Sequence, residues 1–269
     1  MKIISNKSSL KKLLQKEKKL GFIPTMGAIH KGHMSLIKKA IRQNNKTLVS
    51  IFINKPQFNK KSDFKKYPRV LKKDIRKLRS SKVDFLYLPK FNEIYPKGVN
   101  RKIKVHIFKN KLCGKYRPGH FEAIVDVVDR FINIIRPKKV YFGKKDMQQL
   151  IIIKDFVNKN YPSVKIIGCK TVRERNGVAC SSRNLLLSKN EFQAASKIYN
   201  FFIKNKKKII KKKININFLK NIILTKGATK IDYINVLDIN KIIRPFVKKK
   251  KYKIFISYYL NKTRLIDNI

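Results

Sequence analysis

Negative charge is what this chain has least of: 15 Asp and Glu stand against 67 Lys and Arg, a formal net charge of +52. Such a balance ordinarily points to nucleic acid or to an anionic membrane surface. The lysines, however, are spread over the whole chain in company with abundant Ile and Asn, and no RNA-binding motif or interleaved aromatic platform goes with them. This reads as a coding bias toward A and T, with runs such as Lys206-Lys207-Lys208 and Lys248-Lys249-Lys250-Lys251 as solvated faces. No specific nucleic-acid partner is expected, although salt-sensitive association with RNA in vitro is.

Cysteine is scarce as well. Cys113, Cys169 and Cys180 are odd in number and show no C-x-x-C spacing, which excludes a disulfide framework and a structural zinc cluster. No apolar run approaches the ~18 residues that span a bilayer, and Met1-Lys2-Ile3-Ile4-Ser5 lacks the core of a signal peptide. A cytoplasmic chain without a membrane partner is expected. At 269 residues and 43% hydrophobic content it has material for a large domain plus a small one.

What is present is an alternation of strand and helix signals. Leu20 to Thr25, Thr47 to Asn54, Val83 to Leu88, Val140 to Phe142 and Val164 to Cys169 are short and rich in Val, Ile, Phe and Tyr, as strands are. Between them fall helical patterns near 34–43, 70–80, 123–136 and 147–159. In the third, Ile124, Val127, Val128, Phe131, Ile132 and Ile135 form an apolar stripe, with Asp126, Asp129 and Arg130 expected to face away and Pro137 to stop the helix. The alternation predicts an α/β fold with a largely parallel sheet covered on both faces, whose ligands bind at the carboxyl ends of the strands. Past Thr171 come a polar arginine-containing loop, a helical stretch from Glu191, and strands at Ile231 to Leu237, Lys253 to Tyr259 and Thr263 to Ile266. Without long crossovers these predict a small α+β unit with antiparallel pairing. The expected division is 1–171 and 172–269.

Four clusters carry candidate chemistry. The first is Pro24-Thr25-Met26-Gly27-Ala28-Ile29-His30-Lys31-Gly32-His33, a strand breaking into a glycine-containing turn and then a helix. Free backbone N–H groups and the helix dipole favour an anion at such a junction. The H-x-x-H spacing puts two imidazoles within reach of one ligand, and Gly32 between them suggests that something flat or bulky comes close to the backbone. A zinc pair lacks a third ligand and an H-E-x-x-H pattern. The competing reading is that one ring caps the turn and the other packs.

The second cluster is Ser50 to Phe58, where Asn54 and Gln57 offer amides at a strand end to a small polar substrate, or simply make a polar turn. The third is Phe142-Gly143-Lys144-Lys145-Asp146-Met147-Gln148-Gln149, with Asp146 an expected N-cap; its lysines could meet phosphates or merely solvate a helix start. The fourth runs from Arg173 to Asn184, where Ser181, Ser182 and Arg183 would suit a loop folding over a triphosphate. Arg117-Pro118-Gly119-His120-Phe121 is similarly ambiguous.

In order and content these segments, with Tyr67-Pro68-Arg69 and Arg264-Leu265-Ile266-Asp267-Asn268, resemble the pantothenate synthetase family along essentially the whole chain. The resemblance implies a Rossmann-like nucleotidyltransferase domain of the H-I-G-H class, a small α+β C-terminal lid domain and a homodimer. It implies a ligase that joins D-pantoate to β-alanine, converting ATP to AMP and pyrophosphate through a pantoyl adenylate, with Mg²⁺ on the phosphates. Carried over by motif, Met26, Gly27, Ala28, Ile29, His30, Lys31, Gly32 and His33 line the ATP site. Gly143, Lys144, Lys145, Asp146, Val172, Cys180, Ser181, Ser182 and Arg183 complete it. Asn54, Gln57 and Gln149 hold pantoate and β-alanine, and His30, His33, Lys145 and Arg183 stabilise the transition state; no residue is expected to be a dedicated metal ligand.

The chain departs from the family pattern in places. Its proline stands one residue late in Asn54-Lys55-Pro56-Gln57-Phe58, Lys144 replaces a glutamate, Cys113 an acid and Cys180 an apolar residue. With lost carboxylates and added lysines, a marginally stable, self-repelling fold is expected. Two rival readings stay open at this point: a related adenylating enzyme for another small carboxylic acid, and a nucleic-acid-binding protein on a decayed enzyme fold.

Overall fold

Strands without apolar–polar alternation suit a sheet covered on both faces. The computed structural model, which describes all residues except 101, 244 and 245, gathers six of them into one parallel sheet: β1 (Lys2–Ile4), β2 (Leu20–Thr25), β3 (Lys46–Ile51), β4 (Phe85–Tyr87), β5 (Lys139–Gly143) and β6 (Lys165–Cys169). Around it lie α1 (Lys7–Leu14), α2 (Lys31–Gln43), α3 (Lys61–Lys66), α4 (Leu71–Ser80), α5 (Phe91–Ile94), α6 (Cys113–Tyr116), α7 (His120–Ile135) and α8 (Met147–Asn160). The strand order is β1-β4-β3-β2-β5-β6. From β2 the chain winds out through β3 to β4 on one side and through β5 to β6 on the other. The winding therefore reverses between β2 and β5, and the crevice beyond their carboxyl ends is where an open α/β sheet takes its ligand.

The apolar stripe of α7 fills one face, where Phe131 meets Phe22 at 5.4 Å and Phe52 at 6.1 Å between ring centroids. Leu36, Ile37 and Ala40 of α2 and Leu78 of α4 cover the other. Helix α7 begins at His120, three residues before the expected start, and ends as predicted before Pro137, with Arg136 in the left-handed region at φ 51°. Asp126 does not face away: it is 1% exposed and accepts from Arg130 Nε at 2.7 Å and from Asn100 N at 2.9 Å. The expected strand 47–54 stops at Ile51, because the chain turns into a short 3-10 turn at Lys55–Gln57. Strand β1, only three residues long, gives no periodic signal.

The remainder is an antiparallel sheet of β7 (Lys230–Asp238), β8 (Tyr252–Leu260) and β9 (Thr263–Asn268), paired in that order, with α9 (Lys189–Ile210) and α10 (Ile216–Thr225) packed on it. Ile198, Phe202, Leu219 and Ile223 form its core with Ile234, Ile254 and Ile256. Tyr233, Ile239 and Phe255 turn the other way and join the core of the parallel sheet. The carboxylates are used sparingly and almost completely. Among the described residues, every Asp and Glu except Glu17 accepts a hydrogen bond.

Candidate active site

After Thr25 the chain must reverse within a few residues. Gly27 and Ala28 do so in the left-handed region, at φ 80° and 49°, a conformation that costs a non-glycine residue roughly 1 kcal/mol or more. Asp74 of α4 holds them there: it is buried, and its two oxygens accept from Ala28 N at 2.8 Å and Ile29 N at 2.7 Å. Burial pushes the Asp74 carboxyl above its usual range, against the pull of those bonds and of Lys77. Lys77 Nζ in turn donates to Ile29 O at 2.5 Å, and Ser182 Oγ donates to the carbonyls of Gly27 and Ala28. The backbone N–H groups expected to be free for an anion are thus largely taken, and Gly27, Ala28 and Ile29 shape the turn without lining the central cavity.

What the turn offers is its two imidazoles. His30 is the N-cap of α2 and forms a reciprocal capping box with His33: Gly32 N donates to His30 Nδ1 at 3.1 Å, and His30 N to His33 Nδ1 at 3.4 Å. A ring whose Nδ1 accepts carries its proton on Nε2. Both rings therefore keep an Nε2–H, and both line the cavity at the β2–β5 switch point. Burial, chiefly, lowers His30 to about 4, and burial with the neighbouring His30 ring holds His33 well below the usual histidine range; Lys145 and Lys77 push the same way. They are neutral donors. Gly32 is explained here too: a Cβ on it would sit 2.8–2.9 Å from the His30 ring, so the flat group that comes close is the cap itself. Both rings cap through Nδ1, where the competing reading had one cap and the other pack, and the Nε2 of each is left to face the cavity.

Two adjoining cavities of about 220 and 170 Å³ open at this edge and share Met26, Gln57, Lys145, Asp146, Gln149, Ser181 and Arg183. Into the larger come Gly143 from β5, Val172, Cys180 and Ser182 from the loop after β6, and Asn54. Asn54 is oriented from behind: Tyr95 Oη donates to its Oδ1 at 2.7 Å, and its Nδ2 donates to Ala123 O and to Gln57 Oε1, both at 3.1 Å. With both amide hydrogens used, Asn54 positions Gln57, whose Nε2 reaches Met26 Sδ at 3.0 Å. Gln149 faces both cavities, whereas Gln148 is buried in bonds to Cys113 N, Phe108 O and Lys111 O.

Several expected members are displaced or engaged. Lys31 is exposed and paired with Glu174 at 2.8 Å, outside the two cavities. Lys144 also lies outside them, its carbonyl accepting from Asn268 Nδ2 at 2.9 Å. Asp146 occupies the N-cap position of α8 without capping it, and pairs with Lys145 Nζ at 3.2 Å. Arg183 is held by Asp63 at 3.0 Å. Cys180 Sγ donates to Glu174 Oε1 at 3.1 Å, and burial with that carboxylate pushes the thiol up to about 11, so it is no nucleophile at neutral pH.

The residues that sequence reasoning misses are Asp74 and Asp63, each an isolated acid in a lysine-rich helix. In a chain so poor in carboxylates, an acid retained among lysines is the available signal.

Known proteins resemble this chain over its whole length. A family model described as pantoate-beta-alanine ligase matches residues 2–269. A pantothenate synthetase of Clostridium botulinum (strain Loch Maree / Type A3) is 42% identical, the match covering 97% of this chain and 95% of that one. That of Thermodesulfovibrio yellowstonii is 40% identical, covering 96% and 94%. Among solved structures, the pantoate-beta-alanine ligase of Francisella tularensis complexed with beta-gamma ATP and beta-alanine superposes with a TM-score of 0.88 at 38% identity, covering 100% of this chain and 97% of that one. The pantothenate synthetase of Thermus thermophilus superposes with a TM-score of 0.88 at 29% identity, covering 100% and 99%. The chain belongs to the pantoate-beta-alanine ligase family.

Proposed function

We propose that the two cavities carry out an adenylation followed by an amide-forming step, in the cytoplasm and as a homodimer, with residues 172–269 closing over residues 1–171. ATP lies across the switch point with its phosphates at His30 and His33. A carboxylate oxygen of D-pantoate attacks the α-phosphorus, the bond to pyrophosphate breaks, and pyrophosphate leaves with the electron pair. The β-alanine amine, having given up a proton, then attacks the acyl carbon, and AMP leaves with the electrons of the broken C–O bond.

The observation that carries this reading is the pair of Nε2–H donors, fixed in direction by their own caps and lining one cavity with Lys145 and Arg183. Charge that develops on the α-phosphate oxygens and on pyrophosphate needs donors already in place, and such preorganisation supplies most of the catalysis in phosphoryl and nucleotidyl transfer. Gln57, held by Asn54, and Gln149 offer uncharged amides to the hydroxyl and carboxylate groups of pantoate. Met26, Gly143, Val172, Cys180 and Ser181 complete the nucleotide wall.

Among the described residues no group of three His, Cys, Asp or Glu could hold a metal ion. The carboxylates that line the cavities, Asp63, Asp146 and Asp267, already pair with Arg183, Lys145 and Arg173. Mg²⁺ would therefore arrive on ATP, with phosphate oxygens and water as its ligands, and would neutralise phosphate charge.

Pyrophosphate exchange into ATP, run with Mg²⁺ and without β-alanine, tests the first step. Exchange that requires D-pantoate is the expected result; its absence from folded protein would reject the adenylate.

A further inference from the structure

The reciprocal caps fix each imidazole against the start of α2, but they do not fix that start against the sheet. The turn between them is unfavourable on its own, with Gly27 and Ala28 in succession in the left-handed region at φ 80° and 49°, and the Cβ of Ala28 disfavours that conformation. Two side chains from distant parts of the chain hold it there. On the N–H side stands Asp74 of α4, 1% exposed, whose Oδ2 accepts from Ala28 N at 2.8 Å and whose Oδ1 accepts from Ile29 N at 2.7 Å. On the carbonyl side stands Ser182, also buried, whose hydroxyl proton is shared between Gly27 O at 3.2 Å and Ala28 O at 3.1 Å.

Neither group is free for substrate. Asp74 lines neither of the two cavities, and both of its oxygens are taken. Ser182 does line the larger cavity, and the family resemblance places it among the ATP-binding residues. Its single hydroxyl proton is nevertheless directed at the turn. The packing is close as well: a Cβ on Gly27 would stand 3.1 Å from Asp74 Oδ2 and 3.0 Å from Ile51 Cγ2, so the turn sits tightly between α4 and β3.

We propose that Asp74 and Ser182 are positioning residues for the adenylation, gripping opposite sides of the turn so that the Nε2–H groups of His30 and His33 are aimed only while the loop after β6 is seated on it. The inference rests on the ligase reading above. Lys77, on the same helix as Asp74, adds a bond to Ile29 O, and His30 follows directly, so a shift of residues 27–29 carries its ring along. Donors that act on developing charge lose their effect when misplaced by about 1 Å, which can cost on the order of 10²-fold in rate. Ground-state binding of ATP is spread over many contacts and changes little. A positioning role is therefore visible in kcat and not in KM, whereas loss of a hydroxyl bonded to ATP alike in ground and transition state would show the reverse.

Asp74→Asn and Ser182→Ala test the grip by pantoate-dependent pyrophosphate exchange. Asp74→Asn turns an amide donor toward one of the two N–H groups and should lower the exchange kcat roughly 10- to 100-fold, while Ser182→Ala, which removes one neutral donor, should lower it about 3- to 10-fold. The KM for ATP should stay within about twofold of wild type in both. Ala28→Gly, which relieves the left-handed residue, should restore part of the kcat lost in Asp74→Asn and none of that lost in His33→Ala, a pattern that general loss of stability does not produce. Thermal midpoints identify a variant that is merely unfolded, and Ser182→Ala keeps the test open if Asp74→Asn fails to fold. A raised ATP KM with unchanged kcat in Ser182→Ala would make the hydroxyl an ATP ligand and overturn its positioning role. Unchanged kcat in folded Asp74→Asn, or no recovery with Ala28→Gly, would overturn that of Asp74. Exchange absent from the folded wild type would instead reject the adenylation reading beneath both.

Discussion

The two ends of the candidate site present donors of opposite kinds. At the histidine turn the donors facing the cavity are uncharged and oriented locally, each ring capping the other's segment within three residues, while Asp74, Lys77 and Ser182 hold the turn's backbone from afar. At the arginine end the charges are permanent and their partners distant, Arg183 finding Asp63 across 120 residues and Arg264 finding Asp232 across 32. A neutral donor with a fixed direction gains most when charge develops in front of it, so it favours the transition state. A guanidinium can act on the transition state too, but Arg183 and Arg264 already rest in pairs with Asp63 and Asp232, which commits part of each before charge develops. The histidine end should therefore govern rate and the arginine end affinity.

The sharpest way to break that contrast is His33→Ala. Removing one preorganised donor should lower pantoate-dependent exchange about 10²–10³-fold, with little change in the thermal midpoint beyond a lost cap. A drop of less than tenfold would move the rate-determining electrostatics to Lys145 and Arg183.

Acid should damage the histidine end next. His30 titrates near 4 in the fold against 6.5 in an unfolded chain, and His33 and His120 are likewise lowered. The unfolded chain thus binds more protons as pH falls, so the stability these rings contribute is present above about 6.5 and is lost progressively down to about 4. For His30 this is on the order of 3 kcal/mol. Thermal unfolding measured from pH 7 to pH 4 should show the decline, and a flat profile over that window would mean that the rings take up protons as readily in the fold as in the unfolded chain.

The smallest effect belongs to Asp63→Asn. Its pair with Arg183 is partly solvated, with side chains 35% and 25% exposed, and such pairs contribute about 0–1 kcal/mol. The KM for ATP should move by less than about fivefold with kcat unchanged. A large fall in kcat would place Arg183 among the groups that act on rate.

Sequence legibility follows the same divide. The break after Thr25, the strand end that carries Lys145, and the antiparallel character of the last three strands all rest on local patterns, and the structure has them, whereas Gln57 sits on a 3-10 turn beyond β3. Asp74 and Asp63 act across the chain, and no spacing rule connects an acid in a helix to a turn 45 residues away. Asp126 is misjudged for a related reason: helical periodicity marks it as polar and outward, while Arg130 and the backbone of Asn100 make it a buried acceptor. Gly32 reads as room for a ligand because the ring that fills its space belongs to the residue two positions earlier, which a spacing argument does not consider.

The near-complete use of the carboxylates also bears on how this chain tolerates change. Its many lysines are mostly interchangeable decoration, open to drift among themselves at little cost. Fourteen of its fifteen acidic positions each answer a specific donor, so a mutational pressure that erodes Asp and Glu strikes fold and site together. The acidic residues are the chain's narrow margin, and a saturation scan of substitutions would show them as islands of intolerance in a permissive basic surface.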